Sequence, residues 1–76
     1  MASALSRDQS EKLARLARIW ALAQDVWGTD EETRGFLFRP HAMLEDRRPI
    51  DVVLAGETGA ELVRDVLGRL MFGSAA

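Results

Sequence analysis

Phe36-Leu37-Phe38-Arg39-Pro40-His41-Ala42-Met43-Leu44-Glu45-Asp46-Arg47-Arg48-Pro49-Ile50-Asp51-Val52-Val53-Leu54 is the stretch on which the reading of this chain turns. Pro40 disfavours helical backbone at Arg39, so a helix arriving through Phe38 stops there and the chain crosses a loop from His41 to Arg48. Pro49 then suits the first position of a new helix, where a missing N–H costs nothing, and Asp51 places a negative charge in its first turn. Ile50 to Leu54 make about one and a half apolar turns before Ala55-Gly56-Glu57 breaks the pattern again. Short helices over 30–38 and 49–55 follow.

On the N-terminal side, Ser6 and Gln9 form a capping box that opens a long helix over 6–27, ended by Gly28. At about 100° per residue, Leu13, Leu16, Ala17, Ile19, Trp20, Ala23, Val26 and Trp27 share one broad face. Arg7, Glu11, Arg15, Arg18 and Asp25 lie opposite, and Leu22 falls among them. Thr29 and Glu32 offer a second box for the 30–38 helix, whose acidic first turn matches the helix dipole. On the C-terminal side, Thr58 and Glu61 make a third box, predicting a long helix over 58–72 stopped by Gly73. There Leu62, Val63, Val66, Leu67, Leu70 and Met71 cover one half of the circumference, while Phe72 sits among Arg64, Asp65, Gly68 and Arg69. No alternation of strand length appears. The expected fold is all-α: a small compact bundle of about four helices in one domain, 6–73, between a disordered N-terminus, 1–5, and a flexible tail, 74–76.

The bulk numbers fit that picture. A chain of 76 residues with 47% hydrophobic and 29% charged content makes one ordinary globular domain, and without cysteine neither a disulfide nor a thiolate metal site reinforces it. A net charge of -2 lacks the basic surplus that nucleic-acid binding requires. The acidity is local, with seven carboxylates against four arginines between residues 29 and 59. No apolar run approaches bilayer length and no leader pattern opens the chain, which makes the cytoplasm the default compartment.

The quoted stretch resembles the C-terminal toxin-binding domain of the Xre/MbcA/ParS antitoxin family: an aromatic-Leu pair, Pro40, Leu44 before a small turn, Arg47, Pro49, an apolar residue, Asp51 and a Leu-rich turn. Gly59-Ala60-Glu61-Leu62-Val63, with Leu67 and a closing Gly73, is similar to the Gly-x-x-x-Val-x-x-x-Leu helix that ends the same family. The similarity extends back to Leu5-Ser6 and Arg15-Leu16-Ala17. Three positions depart from it: Phe36 in place of Trp, His41 in place of Asn, and Glu45-Asp46 in place of Gly-Gly. The last bears on the loop, since Gly-Gly accepts positive φ and Glu-Asp resists it.

That resemblance implies a bacterial type II toxin–antitoxin system in which this domain binds a RES-domain toxin, as part of a homo- or hetero-oligomer, and shields the active site where NAD would be degraded. It implies no enzyme activity and no cofactor for the chain itself. Family members usually carry a helix-turn-helix region ahead of this domain. Only Met1 to Leu5 precede the first helix here, so no nucleic-acid binding by this chain alone is expected. Two other functions stay open on the residues: a non-catalytic helical dimerisation module, and the C-terminal fragment of a helix-turn-helix regulator.

The side-chain inventory for catalysis is poor, with one His, no Cys and no phosphate-binding glycine loop. His41 reads as a solvent-facing loop residue, and Asp51 and Glu61 as first-turn helix charges. For Arg47 and Arg48, either Arg47 braces the loop through Asp51 or a helix carbonyl while Arg48 is solvated, or one guanidinium reaches into the toxin. Trp20 and Trp27, one heptad apart, either fill the core or form a dimer or partner interface. Phe72 has no core to enter, so Arg69, Met71, Phe72 and Gly73 are expected either to contact the toxin or to fray.

Overall fold

The fold, seen in a computed structural model that describes residues 6–73, is built from four α-helices and one 3₁₀ turn. The expected disordered 1–5 and flexible 74–76 lie outside the described residues. Helix α1, Arg7–Trp27, starts at the Ser6–Gln9 capping box, with both reciprocal bonds formed at 3.1 Å. It ends at Gly28, whose φ of 86° is the left-handed cap that glycine adopts freely, and whose N–H donates to the Gln24 carbonyl. Helix α2, Asp30–Phe38, starts at Thr29, whose hydroxyl accepts from the Glu32 N–H at 3.2 Å. Only that half of the second box forms; the Thr29 hydroxyl itself faces the Glu32 carboxylate.

Pro40 stops α2 as its chemistry requires, with Arg39 extended, and a 3₁₀ turn, Ala42–Leu44, follows. Leu44 to Arg47 then reverse the chain: Glu45 and Asp46 both take positive φ, 59° and 62°, and the Arg47 N–H donates to the Leu44 carbonyl at 3.1 Å. This is the pattern of a type I′ turn, tied off by the His41 N–H donating to the Arg47 carbonyl. The Glu-Asp pair therefore adopts the backbone that Gly-Gly would, at roughly 1 kcal/mol of strain per residue. Replacing Glu45-Asp46 with Asn-Gly, the pair this turn favours, is expected to stabilise the domain by about 1 kcal/mol, a rise of several degrees in Tm by circular dichroism.

Helix α3, Pro49–Ala55, has Pro49 at its first position and only Gly56 separating it from helix α4, Glu57–Phe72. The third capping box does not form. Helix α4 begins one residue before Thr58, with Gly56 at its cap and no side-chain bond there. Gly59 lies in the first turn of this helix. A Cβ on Gly59 would overlap the Val52 carbonyl oxygen and lie 2.9 Å from its carbon, so the first turn of α4 is pressed directly onto the α3 backbone.

The core gathers one narrow strip from each element: Ile19 and Ala23 of α1, Phe36 and Leu37 of α2, Leu44 of the 3₁₀ turn, Val52 and Val53 of α3, and Ala60, Val63, Val66 and Leu67 of α4. The strips are narrower than the helical wheels imply. Leu62, Leu70 and Met71 of α4 remain exposed, as do Leu13 and Ala17 of α1, because short α3 and α2 cover only the facing third of each long helix. Leu22 departs in the other direction and packs, half-buried, against the core where α1 meets α4. Trp20 and Trp27 are half-buried at the core margin, and Trp27 stacks at a tilt on Phe36 with centroids 5.9 Å apart.

Candidate partner-binding surface

Arg15 and Arg18 fix the frame that carries the surface. The Arg15 Nε and Nη2 donate to the Val53 and Leu54 carbonyls at 3.1 and 3.2 Å, occupying free carbonyls at the end of α3. Helix α3 has no basic residue of its own in its last turn, so a residue of α1 supplies the charge. Arg15→Ala is expected to cost about 1–2 kcal/mol in a denaturant melt. Arg18 binds Glu57 at 3.0 Å across the surface, joining α1 to the start of α4, and this hydrogen bond holds the Glu57 carboxyl below its ordinary value.

At the α3 entry the arginine expected to be solvated takes the Asp51 bond, and Arg47 keeps the carbonyl that ends the 3₁₀ turn. Arg48, not Arg47, binds Asp51, with bonds of 2.8 and 3.0 Å, and its guanidinium lies 6.0 Å from the Phe38 ring centroid. As the residue just before Pro49, Arg48 is three positions from Asp51 and within natural reach. The bond lowers the Asp51 pKa and raises that of Arg48. Arg47 only touches the Leu44 carbonyl through Nε, at 3.4 Å, and its terminal nitrogens have no partner among the described residues. His41 is half-buried rather than solvent-facing: its Nδ1 accepts from the Met43 N–H and its ring meets Phe36 edge-on at 5.8 Å.

The motif residues named from the sequence form one structural unit. Leu44, Pro49, Val63 and Leu67 are buried, Gly59 makes the close α3–α4 contact, Asp51 is held by Arg48, and Pro40 stands exposed at the end of α2. They shape the platform and leave the outer surface to others. At the end of α4, Leu70, Met71 and Phe72 are exposed by 41%, 42% and 74%, an unusual share of apolar surface for one helical turn. Arg64, Asp65, Gly68, Arg69, Phe72 and Gly73 line a shallow cleft of about 460 Å³ there. A second cleft, of about 600 Å³, runs from Trp27 and Phe36 past His41 to Leu70. Arg69 lines the cleft at the end of α4, and neither Arg47 nor Arg48 does.

Arg15 and Arg18 are the residues that sequence reasoning missed, because their partners lie 38 or more positions away and no local pattern marks such a bond. Among the described residues there is no cluster of three His, Cys, Asp or Glu side chains that could hold a metal ion, and no helix is long and apolar enough to cross a membrane.

In comparisons with known proteins, no curated protein and no solved structure matches the chain. One protein family does: the antitoxin Xre/MbcA/ParS C-terminal toxin-binding domain matches residues 22–73, from the middle of α1 to the glycine that ends α4. Every motif residue from Pro40 to Leu67 lies inside that span. The match takes in well over half of the 76 residues and all of α2, α3 and α4, and the chain therefore belongs to the Xre/MbcA/ParS antitoxin family as a toxin-binding domain.

Proposed function

We propose that this chain is the inhibitory member of a type II toxin–antitoxin pair and that it neutralises a RES-domain toxin by covering the site at which the toxin degrades NAD. The observation that carries the reading is the apolar end of α4, where Met71 and Phe72 stand exposed beside Arg69 within a domain of the toxin-binding family. An apolar anchor rimmed by arginine is the composition of an interface centre. Arg47, whose terminal nitrogens are uncommitted, is the better placed of the two loop arginines to pair with an acidic or phosphate-shaped pocket. Arg48 is already engaged by Asp51 and contributes by holding the loop. Inhibition of this kind is occlusion, so the chain needs no catalytic group, and it acts in the cytoplasm with the toxin.

Co-expression with the RES-domain toxin encoded beside it is the test. Growth and cellular NAD are expected to be preserved when the chain is present and lost when it is omitted. Loss of NAD in spite of abundant, folded chain would refute the reading.

A further inference from the structure

His41 is the joint of the loop between α2 and α3. Its N–H donates to the Arg47 carbonyl at 3.1 Å, and its own carbonyl accepts from the Leu44 and Asp46 N–H groups at 2.9 and 3.0 Å. The side chain adds a fourth bond: Nδ1 accepts from the Met43 N–H at 3.2 Å while the half-buried ring meets Phe36 edge-on. An imidazole nitrogen accepts only while it carries no proton, so this bond requires the neutral ring with its proton on Nε2. The side-chain caps of α1 and α2, from Ser6 and Thr29, are hydroxyls that do not titrate near neutral pH; the cap of the 3₁₀ turn is a group that does.

The surroundings offer a charged ring another place. His41 lines the cleft of about 600 Å³ together with Glu31 and Glu32 of α2 and with Arg39 at its end. Helix α1 contributes Trp27 to this cleft and α4 contributes Leu70, neither of them charged. On the loop itself Asp46 and Arg47 meet the His41 backbone. Two carboxylates thus stand against one guanidinium across the cleft, and among the described residues neither carboxylate has an ion-pair partner.

We propose that His41 is a proton-operated latch on this loop. Neutral, it caps the 3₁₀ turn through Nδ1 and holds the chain from Met43 to Arg47 in its tight reversal. Once the ring takes a proton both its nitrogens are donors, Nδ1 opposes the Met43 N–H donor to donor, and the ring turns into the cleft toward Glu31 and Glu32. The closed loop therefore belongs to the deprotonated ring, and acidification through the ordinary imidazole range, about pH 8 to about pH 5, releases it. The latch needs no partner protein and stands or falls apart from toxin binding; on the proposed function it also sets where Arg47 points.

Amide hydrogen exchange of the full chain without toxin, read by NMR at about pH 7.5 and about pH 5.5 and divided by the intrinsic rate at each pH, tests it. Protection of the Met43, Leu44, Asp46 and Arg47 amides is expected to fall about tenfold at the lower pH, while that of Val63 and Leu67 in the core holds. His41→Asn is expected to keep the loop protected at both, because an amide oxygen in this place also accepts the Met43 N–H and takes no proton in this range. Proton shifts of the His41 ring in the same samples report which form is present. Unchanged loop protection while the ring titrates would overturn the proposal. So would a ring that stays neutral at the lower pH, or the same fall in His41→Asn.

Discussion

Gly59→Ala is expected to remove most of the stability of the domain, by about 3 kcal/mol or more, and to leave a broad, early thermal transition in far-UV circular dichroism. A single added methyl has this effect because it meets backbone: it would overlap the Val52 carbonyl oxygen and crowd Val52 Cγ1 at 3.1 Å. A flexible side chain would move aside, but here α3 and α4 must separate. With them go the contacts of Val52 and Val53 with Val63 and Leu67, which supply much of the core. A domain of this length has a total stability of roughly 4–11 kcal/mol, so the loss is a large part of the whole. Gly68 provides the opposite result. A Cβ there meets nothing within 4 Å, and Gly68→Ala is expected to stabilise α4 by about 0.5–1 kcal/mol. Two glycines nine residues apart on one helix thus predict shifts of opposite sign.

Phe72→Asp is expected to weaken toxin binding by about a hundredfold, measured by titration calorimetry against the purified toxin, with little change in Tm. Phe72 is 74% exposed and takes no part in the core, so its loss removes nothing that holds the helices together. On the proposed function its value lies in contact with the toxin, where a buried aromatic anchor contributes about 2–4 kcal/mol and a carboxylate in its place adds a desolvation cost. Equal affinity of the two proteins would place the binding surface elsewhere. Weakened binding together with a lowered Tm would show Phe72 to be structural.

What was legible in the sequence follows the range of the interactions concerned. The ends of α1, α2 and α3 could be read from Ser6 with Gln9, Gly28, Thr29, Pro40 and Pro49, each of which acts on backbone within a turn of itself. Thr58 and Glu61 satisfy a local capping rule, yet α4 starts at Glu57 with Gly56 at its cap and no side-chain bond there. Which of Arg47 and Arg48 binds Asp51 is not legible locally, since neighbouring arginines look alike until the turn at Glu45-Asp46 fixes which of them faces it. Helical wheels gave the direction of each apolar face but not its width, which depends on how much of it short α2 and α3 can cover. Leu62, Leu70 and Met71 accordingly lie on the apolar half of α4 and yet stay exposed. Phe72 could be read as exposed because nothing on its side of α4 is apolar.

The proposed action is closure of another protein's active site. It is tested most directly by adding the purified chain stepwise to the purified RES-domain toxin while NAD consumption is followed. Consumption is expected to fall to zero at a fixed molar ratio, and Phe72→Asp to shift the curve to far higher concentration. Undiminished NAD consumption in the presence of excess folded chain would contradict it.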